Sequence, residues 1–96
     1  MPAYVLVDIS IIDPMQYEEV KKLTPPIVAQ YGGRYLARGG HTESLHGNWQ
    51  PKRLVLLQFD SLEQATAWES SPEYTAVKQL RDHCAQVSML LLEGVA

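Results

Sequence analysis

The chain has 96 residues, of which 46% are hydrophobic and 20% charged, with a formal net charge of -3. That length suits one domain (1–96) with a real but thin core and leaves no room for two. The acidic balance excludes a nucleic-acid surface built on phosphate neutralisation, no apolar run is long enough to span a membrane, and one cysteine cannot form an internal disulfide.

The first residues, Met1-Pro2-Ala3-Tyr4, carry neither a basic region nor a cleavage site, so no signal peptide is expected. With Cys84 as the only thiol, a reducing cytoplasm is the expected location. Ala3 to Ile11 alternates as a strand, with Val5, Val7, Ile9 and Ile11 on one face. Tyr4, Leu6, Asp8 and Ser10 take the other face, which is apolar enough that burial on both sides is expected.

Asp13-Pro14 reads as the N-cap and first residue of a helix that carries Tyr17, Val20 and Leu23. Thr24-Pro25-Pro26 predicts an interruption, because each proline lacks an amide donor and clashes with the preceding turn. A second segment with Ile27, Val28 and Tyr31 would restart at Thr24 and stop at Gly32. Arg34 to Arg38 is a short strand closed by Gly39-Gly40, and residues 41–50 read as a loop or a small extra hairpin.

Arg53 to Phe59 is the clearest buried strand. Asp60-Ser61 caps a helix with Leu62, Ala65 and Trp68, and Ser71-Pro72-Glu73 restarts it with Tyr74, Val77, Leu80 and Cys84 on one side. Val87 to Glu93 is the last strand, stopped by Gly94. The order is βαββαβ, an α+β ferredoxin-like arrangement with the first and third strands in the middle of one sheet. Both helical layers then cover one face. The other face carries Leu6, Leu54, Leu56, Leu90 and Leu92, so a second copy is expected to cover it, giving a homodimeric α/β barrel.

Asp13-Pro14 with Tyr17, Pro25-Pro26, Tyr31-Gly32-Gly33-Arg34-Tyr35-Leu36, Arg38-Gly39-Gly40, Trp49, Arg53, Ser71-Pro72-Glu73-Tyr74 and Glu93-Gly94 resemble the bacterial "domain of unknown function 1330" proteins. The resemblance covers essentially the whole chain and implies the dimeric α+β barrel superfamily. Other members of that superfamily include cofactor-independent monooxygenases, muconolactone isomerases and haem enzymes, but the family itself implies no activity. The chain departs from the pattern at Asp82-His83-Cys84 and at Gln58, where a glutamate is common.

Asp8 is the first candidate for chemistry, since a carboxylate in a buried strand must be paired or hydrogen-bonded. Strand parity puts it on the face away from the helices, with Arg34, Arg38 and Arg53 as expected partners. Such a pair would fix strand register, or Asp8 would act as a base beside arginines that bind an anion, with Trp49 closing over the pocket. His41, Glu43 and His46 match no metal-site spacing, so no metal is expected, and no histidine sits where a haem ligand would. Cys84 follows the core spacing of its helix while His83 faces solvent.

Three readings follow: a small-molecule-binding dimer that acts without a cofactor on a small polar or anionic metabolite, a non-catalytic binding module, and a purely structural dimer. A cavity lined by Asp8, Arg38 and Trp49 would separate the first two from the third.

Overall fold

The computed structural model describes residues 1–95. Its elements run β1 (Ala3–Ile11), α1 (Pro14–Gln30), β2 (Arg34–Arg38), β3 (Leu54–Phe59), α2 (Leu62–Glu69), α3 (Pro72–Asp82) and β4 (Ala85–Glu93). The strands form one antiparallel sheet in the order β2-β3-β1-β4, with β1 and β3 central. This is the α+β ferredoxin-like arrangement expected from the element order.

The core lies between the helices and the sheet. Val5, Val7 and Ile9 of β1 and Val55, Leu57 and Phe59 of β3 point into it. Tyr17, Val20 and Val28 of α1 pack down from above, with Ala65, Trp68, Tyr74 and Val77 from α2 and α3. Phe59, Trp68 and Tyr74 make a continuous aromatic contact, with ring centroids 5.4 and 4.2 Å apart. Cys84, two residues past the end of α3, is fully buried, and His83 is exposed.

Side-chain caps mark the helix starts. Asp13 accepts from the amides of Met15 and Gln16, and Ser61 accepts from that of Gln64. Ser71 accepts from the Tyr74 amide at 3.1 Å and donates to the Trp68 carbonyl at 2.8 Å, so one buried hydroxyl ends α2 and begins α3. Gly32, at φ +80°, ends α1 in the left-handed conformation that a side chain would strain.

Three sequence expectations need correction. First, α1 does not break at Thr24-Pro25-Pro26 but runs on to Gln30. Tyr17, Val20, Thr24 and Val28 form a 3-4-4 stripe that keeps one helix face on the core across the prolines. Two carbonyls of this stretch accept from side chains: the Val20 carbonyl from Thr24 Oγ1 at 2.7 Å, and the Lys21 carbonyl, which the missing Pro25 amide leaves free, from Arg38 Nη2 at 3.0 Å.

Second, β2 is not regular. Arg34 pairs with Gln58 and Tyr35 with Leu57, but Ala37 pairs with Leu56 and Arg38 with Val55. The extra residue, Leu36, is a β-bulge, and it reverses the side to which every later side chain of β2 points. Arg38 therefore shares the helix-covered side with Val55 rather than the outer side with Asp8.

Third, Ile11 at the end of β1 is exposed rather than packed under the helices with Val5, Val7 and Ile9. On the outer face of the single chain Leu6, Asp8, Leu54 and Leu56 are half-buried, and Leu90 and Leu92 are 68% and 65% exposed. Residues 41–50 form a loop without a hairpin, and β4 begins two residues early, at Ala85.

Candidate functional site

Arg38 of β2 and the Lys21–Thr24 turn of α1 border a cavity of about 50 Å³ between the helices and the sheet. Val7, Val55 and Leu57 form its floor, while Tyr17, Tyr35, Trp68 and Tyr74 supply aromatic walls. Among the described residues four cationic side chains border it, Lys21, Arg38, Arg53 and Arg81, and no carboxylate does. In a chain of net charge -3 that is a local reversal of sign.

The four cations are not equivalent. Lys21 is paired with Glu18 at 2.9 Å and Arg81 with Asp82 at 3.1 Å. Arg81 also donates to the Tyr74 hydroxyl at 3.1 Å. Arg38 and Arg53 have no carboxylate partner among the described residues. Arg38 is exposed at the mouth, where its guanidinium lies 4.9 Å from the Tyr35 ring centroid and donates to the Lys21 carbonyl.

Arg53 lies deeper, with its guanidinium beside the Tyr17 phenol. Gly39 makes this possible: its φ is +68°, and a Cβ there would collide with the Arg53 guanidinium. Arg53 and Trp68 line the cavity, and their Arg53 Nε and Trp68 Nε1 donors are buried without an acceptor among the described residues. A buried donor without a partner costs about 1–3 kcal/mol.

Burial pushes the phenols of Tyr17, Tyr35 and Tyr74 above their ordinary value, that of Tyr74 to about 12. Nearby guanidinium groups oppose this in each case without overcoming it. The phenols therefore stay protonated at neutral pH and can donate hydrogen bonds. Positive charge and donors thus dominate the polar part of the lining.

The residues singled out from the sequence fall into two groups on opposite faces of the sheet. Arg38 and Arg53 share the cavity under the helices. Asp8 and Trp49 meet on the outer face, where Trp49 Nε1 donates to Asp8 Oδ2 at 3.3 Å and the Lys52 amide donates to Oδ1 at 3.1 Å. Neither Asp8 nor Trp49 borders the cavity, and Asp8 pairs with no arginine. Arg34 is also on the outer side, donating to Gln58 Oε1 at 2.7 Å. Among the described residues no group of three histidine, cysteine or carboxylate side chains could hold a metal ion.

Tyr17, Tyr35, Trp68, Tyr74 and Arg81 were not sequence candidates for the site. Tyr17, Trp68 and Tyr74 read as packing residues because their apolar spacing is that of a core, and they do pack in the core. Their polar atoms become relevant only when the third dimension gathers them around one cavity.

Fold and site together define a ferredoxin-like α+β protein with a cationic cavity between its helices and its sheet. The sequence matches the model of the family described as "Domain of unknown function (DUF1330)" over residues 2–95, and the chain belongs to that family. No curated protein matches it significantly. Among solved structures it is similar to RPA0582, a protein of unknown function from Rhodopseudomonas palustris, with a TM-score of 0.78 and 14% identity over 99% of this chain and 83% of that one.

It is also similar to SnoaB, a cofactor-independent oxygenase from Streptomyces nogalater, with a TM-score of 0.67 and 9% identity over 99% of this chain and 94% of that one. A third similar structure is a dimeric protein of unknown function with a ferredoxin-like fold from Bacteroides fragilis. There the TM-score is 0.62 and the identity 14%, over 97% of this chain and 96% of that one. At these identities the likeness is one of fold.

Proposed function

We propose that this protein binds a small anionic or carbonyl-bearing metabolite in the cavity bordered by Arg38, Arg53 and Tyr17. The observation that carries the proposal is the charge of the lining: among the described residues it has four cations and no carboxylate, and two of those cations have no carboxylate partner. An arginine keeps its charge at any relevant pH and offers several donors in a fork that suits a carboxylate or enolate oxygen.

Binding is favoured over proton abstraction by the protein. Among the described residues no carboxylate or histidine borders the cavity, and its phenols are held protonated by burial. The lining can orient an oxyanion and stabilise its charge, but it offers no base at neutral pH. SnoaB, described as an oxygenase that needs no cofactor, supports a fold able to enclose a small organic ligand.

The working unit is a homodimer. The apolar outer face of Leu6, Leu54, Leu56, Leu90 and Leu92 supports this, as does the dimeric similar protein from Bacteroides fragilis. The ligand cavity lies on the opposite side of the sheet, so dimerisation would leave it open. A single buried thiol, Cys84, suits a reducing cytoplasm.

Thermal-shift and calorimetric titration with acetate, benzoate and inorganic phosphate tests the binding site. At least one anion should stabilise the wild type, and Arg53→Ala should weaken that binding about tenfold or more, the loss expected for a charged hydrogen bond. Failure of all three anions, or binding indifferent to Arg53→Ala, would reject the site.

A further inference from the structure

Pro25 and Arg38 are 13 positions apart in sequence, yet one carbonyl links them. In a regular helix the Lys21 carbonyl accepts from the amide of residue 25. Residue 25 is proline and has no amide hydrogen, so this acceptor is left free in the middle of α1. Arg38 Nη2 fills the vacancy at 3.0 Å. The Leu36 bulge is what brings Arg38 to that side of the sheet.

From this we infer that Pro25 is a positioning residue for the anion site: it frees the Lys21 carbonyl to hold the Arg38 guanidinium over the cavity mouth. The role rests on the anion-binding reading above and gives a reason for a helix-breaking residue inside an unbroken helix. A guanidinium has five N–H groups. One is spent on the carbonyl, and the Tyr35 ring steadies the plane of the group. The remaining donors are left for a ligand without the rotamer entropy of a loose surface arginine. Thr24 belongs to the same device, because its hydroxyl takes the Val20 carbonyl one residue earlier and keeps the loosened turn in shape.

The role predicts an inverse relation between stability and binding. Pro25→Ala restores an amide that competes with Arg38 for the Lys21 carbonyl. The helix is repaired and should melt about 5 °C higher, because an internal proline costs more than alanine adds in unfolded-state freedom. Affinity should nevertheless fall about fivefold to tenfold, since Arg38 loses its anchor. The probe is whichever of acetate, benzoate and inorganic phosphate binds the wild type most tightly.

Arg38→Ala should weaken binding to a similar degree, and adding Pro25→Ala to it should weaken binding no further, the signature of two residues acting through one group. Three results would overturn the role of Pro25 while leaving the site standing. They are wild-type affinity in Pro25→Ala, an equal further loss in the Arg38→Ala background, or a lower melting temperature for Pro25→Ala. If the wild type binds none of the three anions, the site and this role fall together.

Discussion

The indole nitrogen of Trp49 and the amide of Lys52 donate to the two oxygens of one carboxylate, Asp8, on the outer side of the sheet. A residue of a central strand thereby ties down the end of the long connection 39–53, whose exposed tip includes Leu45 at 96% exposure. Asp8 therefore acts on the loop rather than on an arginine.

Asp8→Ala should release that loop. Both hydrogen bonds are solvent-exposed, so the loss in global stability should be only about 1 kcal/mol. The local effect should be larger: cleavage within residues 41–48 by a broad protease should speed up, and Trp49 emission should shift toward that of solvated indole. Cleavage at the wild-type rate would mean that other contacts hold the loop.

The outer face should make the chain a dimer in dilute solution. Its leucines form an apolar surface that one chain leaves open. Sedimentation equilibrium at low micromolar concentration should return twice the chain mass for the wild type and the monomer mass for Leu90→Asp. A stable, folded wild-type monomer would contradict this.

Removing the Ser71 hydroxyl should cost about 1–2 kcal/mol, because it deletes the cap of α3 and leaves the buried Tyr74 amide without its partner. Urea denaturation of Ser71→Ala against wild type measures this. Serine and threonine are interchangeable as caps in kind, so Ser71→Thr tests whether the buried site tolerates the extra methyl.

Alkali should loosen the protein through its cavity phenols. Each is neutral when protonated, and burial raises each above its ordinary value of 10.0. The folded state thus holds these protons more tightly than the unfolded state. The stabilisation is complete below about pH 10 and is lost as pH climbs through the folded values. For the buried Tyr74, raised to about 12, the loss amounts to roughly 2–3 kcal/mol. Tyrosinate absorbance and circular dichroism, followed together from pH 9 upward, should show Tyr74 ionising only with unfolding. Free ionisation of all five tyrosines near pH 10 in a still-folded chain would refute this.

Much of this was written in the sequence because local rules decide it. Asp13, Ser61 and Ser71 cap their helices because a short oxygen-bearing side chain meets the first free amides, whatever lies elsewhere in the chain. The alternation of Val5, Val7 and Ile9 sets one face of β1 toward the helices, and the βαββαβ order leaves few ways to arrange four strands. The helical spacing from Tyr74, Val77 and Leu80 points Cys84 into the core, and it is buried although α3 itself ends at Asp82.

What only the tertiary structure decided was the side of the sheet on which Arg38 acts and the partners that Asp8 meets. One bulged residue, Leu36, reverses Arg38, and no local pattern announces it, because the bulge is a relation between two strands. The unbroken α1 is likewise a matter of partners: Pro25 removes an amide locally, but the replacement donor, Arg38, arrives from another strand. Asp8 found Trp49 and Lys52 instead of an arginine for the same reason, since hydrogen bonds between distant residues depend on where the chain returns and not on what the residues are.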